Sequence, residues 1–170
     1  MNAQISTYPQ PQTDAFWHTL SNRMSEESGI LQTRTTPEAL RHCYEQGLAV
    51  VLVIDKNACG YMAAWPVGDG MLEIGSGYIV PEWRGCGFGV QLYQAIANLP
   101  VFLQAIGFAI TQNPVALSAG RKVSLLPHTD WNSPVPYALT CGACDWVADE
   151  QKSSCEARNH SCILRILHRK

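Results

Sequence analysis

The sequence lacks the features that mark membrane-spanning, secreted and nucleic-acid-binding proteins. No run approaches the uninterrupted apolar length needed to cross a bilayer. The start, MNAQISTYPQPQTD, has neither the basic residues nor the apolar stretch of a signal peptide. Twelve basic against fourteen acidic residues give a formal net charge of −2, which provides no reason to expect a nucleic acid or an anionic membrane as partner. We therefore expect a cytoplasmic protein.

Disorder and a disulfide framework are not indicated either. An apolar fraction of 46% with five tryptophans and six tyrosines is typical of a folded chain, and 170 residues suffice for one domain with its own core. The seven cysteines are odd in number and scattered from Cys43 to Cys162, which favours reduced thiols. We predict a single domain over residues 1–170, with a flexible start at 1–12 and C-terminal strands and loop at 124–170.

Hydrophobic periodicity and turn residues predict a succession of helices and strands. Thr36 as a cap and Pro37 in the first turn strengthen the second helix, and Gly47 ends it. We expect helices at 13–27, 35–47, 89–98 and 113–122, and strands at 48–54, 60–66, 71–80, 108–112, 137–141 and 161–168, with a loop at 126–136. This order indicates an α/β fold of the mixed α+β type.

The stretch PEWRGCGFG, residues 81–89, carries the clearest functional pattern. Alternate glycines free the backbone to curl, and a curled loop before a helix directs several N–H groups at one anion. A P-loop would need lysine and a hydroxyl residue after Gly89, and a dinucleotide fingerprint would need glycine at Val90. Arg84, Gly87 and Gly89 fit a third phosphate-binding pattern, Arg-x-x-Gly-x-Gly between a strand and a helix.

With its flanks, YIVPEWRGCGFGVQLYQAIA resembles the acetyl-CoA-binding motif of the GCN5-related N-acetyltransferase (GNAT) superfamily. The resemblance covers residues 35–123 in the order of elements and is clear over 71–123. It implies a central mixed, mostly antiparallel sheet flanked by helices. It also implies transfer of an acetyl group from acetyl-CoA to an amine of a small molecule or peptide, directly and in a ternary complex. A homodimer is compatible with this expectation.

The resemblance implies a coenzyme site made largely of backbone groups. The pyrophosphate of coenzyme A would lie on N–H groups at the helix start, and the strand end would lend main-chain groups to the pantetheine amides. Asn113 in TQNPVA resembles the family's asparagine, and its alternative role is a helix N-cap. The expected coenzyme contacts are Ile79, Arg84, Gly85, Cys86, Gly87, Phe88, Gly89, Val90 and Asn113.

Glu73 is the candidate general base. An amine must lose its proton before it attacks a thioester, and most amines are protonated near neutral pH. Glu73 lies eleven residues before Arg84, which matches the glutamate base of histone-acetyltransferase-type members of the family. Strand alternation predicts one face, with an open trench beside the carboxylate, for Glu73, Gly75, Gly77 and Ile79. Apolar neighbours in sequence would raise its affinity for protons. The alternative is an exposed glutamate on a solvated strand face.

One position departs from the family pattern. Family members usually keep a tyrosine seven residues after the asparagine, where it protonates the leaving thiolate, and this sequence has Gly120 there. Ser118 is turned about 200° from that position around a helix, so it is a poor substitute. A non-catalytic acyl-CoA-binding or sensor domain is therefore the alternative function.

The C-terminal cysteines form a second unusual feature. The stretch CGAC at 141–144 is followed by Cys155, His160 and Cys162. A Cys-x-x-Cys turn suits zinc, but the second half lacks the spacing of a zinc ribbon. Three states stay open: a redox pair, free thiols in a cysteine-rich β-hairpin, or a zinc site that would make the protein a zinc-stabilised interaction module. The zinc candidates are Cys141, Cys144, Cys155 and Cys162.

Overall fold

The structure, a computed structural model, describes residues 2–27, 30–68, 70–144 and 147–168. Within these ranges the strands are β1 (Ala3–Thr7), β2 (Ala49–Ile54), β3 (Asn57–Gly68), β4 (Met71–Ile79), β5 (Ile106–Thr111), β6 (Leu125–Pro127) and β7 (Ile163–Leu167). The α-helices are α1 (Asp14–Ser25), α2 (Pro37–Glu45), α3 (Phe88–Ala97) and α4 (Pro114–Arg121). None of the described helices is long and apolar enough to cross a membrane.

One sheet of seven strands organises these elements, in the order β1-β2-β3-β4-β5-β7-β6. Every neighbouring pair is antiparallel except β4 and β5, which are parallel. Helices flank the sheet, so the predicted fold class is confirmed.

The helix boundaries follow from capping chemistry. The Thr13 hydroxyl accepts from the Phe16 N–H at 3.2 Å, and the Thr36 hydroxyl accepts from the Ala39 N–H at 3.2 Å. Gly47, with φ of 70°, takes the left-handed conformation after α2. These contacts place α1 and α2 within a few residues of their predicted ranges.

The start of the chain is an edge strand, so the prediction of a flexible segment at 1–12 is wrong for residues 3–7. Strand β1 pairs with β2 along its length, with Ile5 opposite Leu52. The buried Ser6 hydroxyl shares a 2.9 Å hydrogen bond with the Tyr44 hydroxyl. Without β1, the apolar strand β2 would expose an unpaired edge, which favours strand addition.

The C-terminal segment differs from the predicted cysteine-rich hairpin. Residues 137–139 and 141–143 form 3₁₀ turns where a strand was expected, whereas the short strand β6 lies at the start of the predicted loop. The Arg158 guanidinium carbon lies 5.8 Å from the ring centre of Trp131 and 5.6 Å from that of Tyr137. This stacking on two aromatic rings stabilises the connection between β6 and β7, which forms 3₁₀ turns and no further strand in its described part. The predicted final strand is confirmed as β7.

Candidate active site

A fork opens in the sheet between β4 and β5. These strands pair only from Met71 to Glu73, opposite Ile106 to Phe108. Beyond this point β5 pairs with β7, while β4 continues to Ile79 beside β3. No described strand pairs with the β5-facing edge of residues 74–79. The fork therefore offers free peptide groups to an extended ligand.

A β-bulge at Ser76 changes the face of the sheet on which the following side chains of β4 lie, in the part of the strand that borders the fork. Ser76 has φ of 53°, and the register with β3 shifts from Tyr61 opposite Tyr78 to Ala63 opposite Gly75. Tyr61 and Ala63 are two residues apart and share one face of the sheet, so their partners share it too. Tyr78 and Gly75 are three residues apart, which is possible only because the bulge adds a residue.

The bulge separates residues that the sequence placed on one face. Glu73 and Gly75 face Arg34, which precedes α2, because a Cβ built on Gly75 would lie 3.6 Å from Arg34 Nη1. Ile79 instead faces α3, because a Cβ on Gly89 would lie 3.7 Å from Ile79 Cδ1. The prediction of one shared face for Glu73, Gly75, Gly77 and Ile79 is therefore wrong, and the two glycines do not line one trench.

The loop before α3 has the curled backbone expected from its glycines. Gly85 and Gly87 have φ of 80° and 83°, in the left-handed region that side chains disfavour. The Gly87 carbonyl accepts from the N–H groups of Val90 and Gln91, which begins the helix. In the described part of the chain, no acceptor takes the N–H groups of residues 85–89. These free donors lie at the positive end of α3.

Arg84 and Ile79 are linked at the fork edge. In the ladder with β3 the Val80 N–H donates to Cys59, so the neighbouring Ile79 directs its peptide groups toward the fork. Arg84 Nε donates to the Ile79 carbonyl at 2.9 Å, and Arg84 Nη2 donates to Glu27. The Ile79 carbonyl is thus engaged, and its N–H remains the group that faces the fork.

Three further coenzyme candidates have distinct surroundings. Phe88 is buried and its ring centre lies 6.3 Å from that of Trp83, so its side chain anchors the loop. Cys86 is an exposed free thiol on the loop. Asn113 Oδ1 accepts from the N–H groups of Val115 at 2.9 Å and Ala116 at 3.3 Å, which confirms the N-cap role. Its role as a coenzyme contact stays a prediction.

Glu73 is held in an ion pair that the sequence did not predict. Its Oε2 accepts from Arg34 Nη2 at 2.7 Å, and the two side chains are 25% and 18% exposed. The Arg34 guanidinium carbon lies 5.2 Å from the Trp65 ring centre, and Trp65 Nε1 donates to Ser76 Oγ at 3.0 Å. The carboxylate therefore lies neither in an apolar pocket nor on a solvated strand face. Arg34 is 39 residues from Glu73, and no sequence motif marks it.

Arg165 fills the space beside Gly120. A Cβ on Gly120 would lie 2.3 Å from Arg165 Nη1. Arg165 is 1% exposed and donates to the Ala116 carbonyl at 2.9 Å and to the Tyr93 hydroxyl at 3.4 Å. Its buried Nε has no partner among the described residues. Any side chain at position 120 must displace this guanidinium, which explains the glycine. Ser118 is exposed on the same helix.

The C-terminal cysteines give the zinc hypothesis no support. Among the described residues no three histidine, cysteine, aspartate or glutamate side chains are grouped to hold a metal ion. The four candidates, Cys141, Cys144, Cys155 and Cys162, are free thiols. Burial raises the pKa of Cys162 to about 11 and also raises the pKa of Cys141.

A family model for the acetyltransferase (GNAT) family matches residues 14–112, which is more than half of the chain. The chain belongs to this family of acetyltransferases. The match and the fold confirm the resemblance read from the glycine loop, and with it the class of acetyl-CoA-dependent N-acetyltransferases. A sequence comparison with curated proteins yields no significant match.

Solved structures share the fold at low sequence identity. N-acetylglutamate synthase from Neisseria gonorrhoeae, complexed with coenzyme A and N-acetyl-glutamate, is 20% identical with a TM-score of 0.59 over 99% of this chain and 36% of that one. The PaiA N-acetyltransferase of Thermoplasma acidophilum, in complex with coenzyme A, is 13% identical with a TM-score of 0.62 over 99% and 100%. Diaminobutyrate acetyltransferase EctA from Paenibacillus lautus, with L-2,4-diaminobutyric acid and coenzyme A, is 10% identical with a TM-score of 0.53 over 71% of each chain. The chain thus spans about a third of the length of the first protein and all of the second.

Proposed function

We propose that the protein transfers the acetyl group of acetyl-CoA to an amine by direct attack in a ternary complex. The observation that carries the proposal is the fork between β4 and β5, which has free N–H donors of residues 85–89 near one end and Glu73 near the other. A coenzyme arm extended along the fork from the N–H donors of residues 85–89 would bring its thioester carbonyl toward Glu73.

The coenzyme would be held chiefly by main-chain donors. Its pyrophosphate lies on the N–H groups of residues 85–89, helped by the positive end of α3. The N–H of Ile79 binds a pantetheine amide, and Val90 lines the start of the helix. The Asn113 side-chain amide has no acceptor among the described residues, so it can donate to the same arm. Arg84 supports the fork edge rather than the phosphates.

Glu73 would remove a proton from the acceptor amine, directly or through a water molecule. The neutral amine nitrogen attacks the thioester carbon, and free peptide N–H groups at the fork stabilise the developing oxyanion. The carbon–sulfur bond then breaks, sulfur leaves with the electron pair, and the second proton of the attacking nitrogen passes to the thiolate or to water. A thiol has an ordinary pKa of about 8.5, so the thiolate is a tolerable leaving group without a tyrosine at position 120.

We also propose a cytoplasmic location. The seven cysteines are free thiols, and free thiols are typical of a reducing compartment. Its acceptor would be a small molecule or a peptide. A homodimer, and the lack of nucleic-acid and membrane partners, stay predictions from the sequence.

The proposal is tested by replacing the base. Glu73→Gln keeps the shape and a hydrogen bond to Arg34 but cannot take a proton, so kcat/KM should fall about 10²–10⁴-fold. Calorimetric affinity for acetyl-CoA should not change. Glu45→Gln, at an exposed glutamate of α2, is the matched control and should behave as wild type.

The readout is free thiol released over a panel of amines. If acetyl-CoA binds and no amine yields free thiol, the alternative of a non-catalytic acyl-CoA sensor replaces this proposal. If Glu73→Gln is as active as wild type, Glu73 is not the base.

A further inference from the structure

Arg34 has unused hydrogen-bonding capacity on the Glu73 side of the sheet. A guanidinium carries five N–H donors. One bond from Nη2 goes to Glu73 Oε2, and no other acceptor within the described residues contacts the Arg34 guanidinium. The group is only partly exposed and lies over the Trp65 ring, so its plane is held in place.

The Nη1 end of this guanidinium lies beside Gly75 of β4. Gly75 lies two residues after Glu73 on the same face, and a Cβ there would lie 3.6 Å from Arg34 Nη1. Because glycine has no side chain, nothing at this strand position covers Nη1. Two adjacent guanidinium N–H groups form the geometry that binds a carboxylate with two bonds.

We propose that the acceptor carries a carboxylate close to its reactive amine, and that Arg34 binds this carboxylate. The inference rests on the proposed acetyl transfer. The proposed acceptor class is free amino acids, in which one or two carbons separate the amine from the carboxylate. Arg34 and Glu73 are 2.7 Å apart, so the ligand groups that bind them must also be close. The amine and the terminal carboxylate of a peptide lie too far apart to satisfy both.

Charge balance favours this acceptor over a simple amine. Arg34 and Glu73 neutralise each other, and a zwitterion added to the pair gives four charges of alternating sign. A simple ammonium ion would leave one positive charge uncompensated in a half-buried site, where screening is weaker than in water. The carboxylate also competes for Arg34, which loosens the ion pair and frees Glu73 for the amine.

The experiment compares each of the common amino acids with its own carboxamide as acceptor. The carboxamide keeps the amine and side chain and removes the negative charge. Because this change also lowers the pKa of the amine, rates are compared at equal concentrations of neutral amine. We expect kcat/KM for the best amino acid to exceed that of its carboxamide by about 10–100-fold, the usual worth of a charged hydrogen bond. In Arg34→Gln this ratio should fall toward one, and Arg34→Lys should restore part of it.

The control variant is Arg41→Gln, because Arg41 forms an ion pair with Asp14 away from the fork. It should keep the wild-type ratio. A second measurement does not depend on catalysis by the variants: propionate should inhibit the wild type in competition with the amino acid and not with acetyl-CoA.

The outcomes separate the two proposals. If amines without a carboxylate are the best acceptors, if Arg34→Gln keeps the discrimination, or if propionate does not compete, the acceptor class is wrong and acetyl transfer stands. If acetyl-CoA binds and neither series releases thiol, acetyl transfer itself is wrong and this inference falls with it.

Discussion

Gly120 and Arg165 show how a buried cation restricts one helix position. Replacing Gly120 by tyrosine would force Arg165 from a site where it bonds Ala116 and Tyr93. We expect Gly120→Tyr to lower the free energy of unfolding by about 3 kcal/mol or more, because overpacking adds to the loss of these bonds. Thermal and urea unfolding measure it.

Two controls define the cause of this loss. Ser118→Tyr places the same ring at an exposed site on the same helix and should change the stability little. Gly120→Tyr should lower the free energy of unfolding less in an Arg165→Ala background than in the wild type. Equal costs in both backgrounds would show that the guanidinium is not the obstacle.

The sequence predicts some residues of the site and not others, for a physical reason. Glu73 and the glycines lie in one continuous stretch, so spacing relates them directly. Arg34 and Arg165 reach their partners across 39 and 49 residues, and such contacts depend on tertiary packing. The bulge at Ser76 was missed because alternation along a strand shows no trace of an extra residue.

At the scale of elements, the start of α3 depends on the left-handed backbone of the preceding loop. Within the described ranges, no atom outside its chain neighbours lies within 4 Å of a Cβ built on Gly87. Gly87→Ala therefore adds strain through φ, which costs about 1–2 kcal/mol. The loop can relieve this strain by turning over, which would aim its N–H groups away from one point. We expect acetyl-CoA affinity, measured by calorimetry, to fall about tenfold or more, since 1.4 kcal/mol corresponds to a factor of ten.

Gly47→Ala is the matched control for this change. Gly47 also has positive φ and an open Cβ position, but it ends α2 far along the chain from the loop. Gly47→Ala should lower the free energy of unfolding by a similar amount and keep the wild-type affinity for acetyl-CoA. Wild-type affinity in Gly87→Ala would mean that the loop does not hold the coenzyme.

Elements with their own caps or apolar stripes were predicted well, and the others were not. Helices α1 and α2 have threonine caps, α3 begins after the left-handed Gly87, and each of the three buries an apolar stripe. Strand β1 has a polar sequence, and it forms only because β2 offers an edge to pair with. The C-terminal turns depend on the stacking of Arg158 on Trp131 and Tyr137, and no local sequence pattern predicts these contacts.

At the scale of the whole molecule, the C-terminal segment covers one face of the sheet beside the fork. Trp131 and Val135 pack with Phe108 and Ile166, which are paired across β5 and β7. Phe108 is also the partner of Glu73 across β4 and β5. The Glu73 side of the fork is therefore bordered by Arg34 on one flank and by this segment on the other.

The reversal of β4 at its bulge has a consequence for the order of events in a turnover. In the proposed complex the coenzyme would approach from the Ile79 face of β4 and the acceptor from the Glu73 face, so neither substrate would block the other. We expect intersecting double-reciprocal plots, with coenzyme A competitive only toward acetyl-CoA and the acetylated amine competitive only toward the acceptor. Parallel plots would contradict this, because they indicate that one product must depart before the second substrate enters.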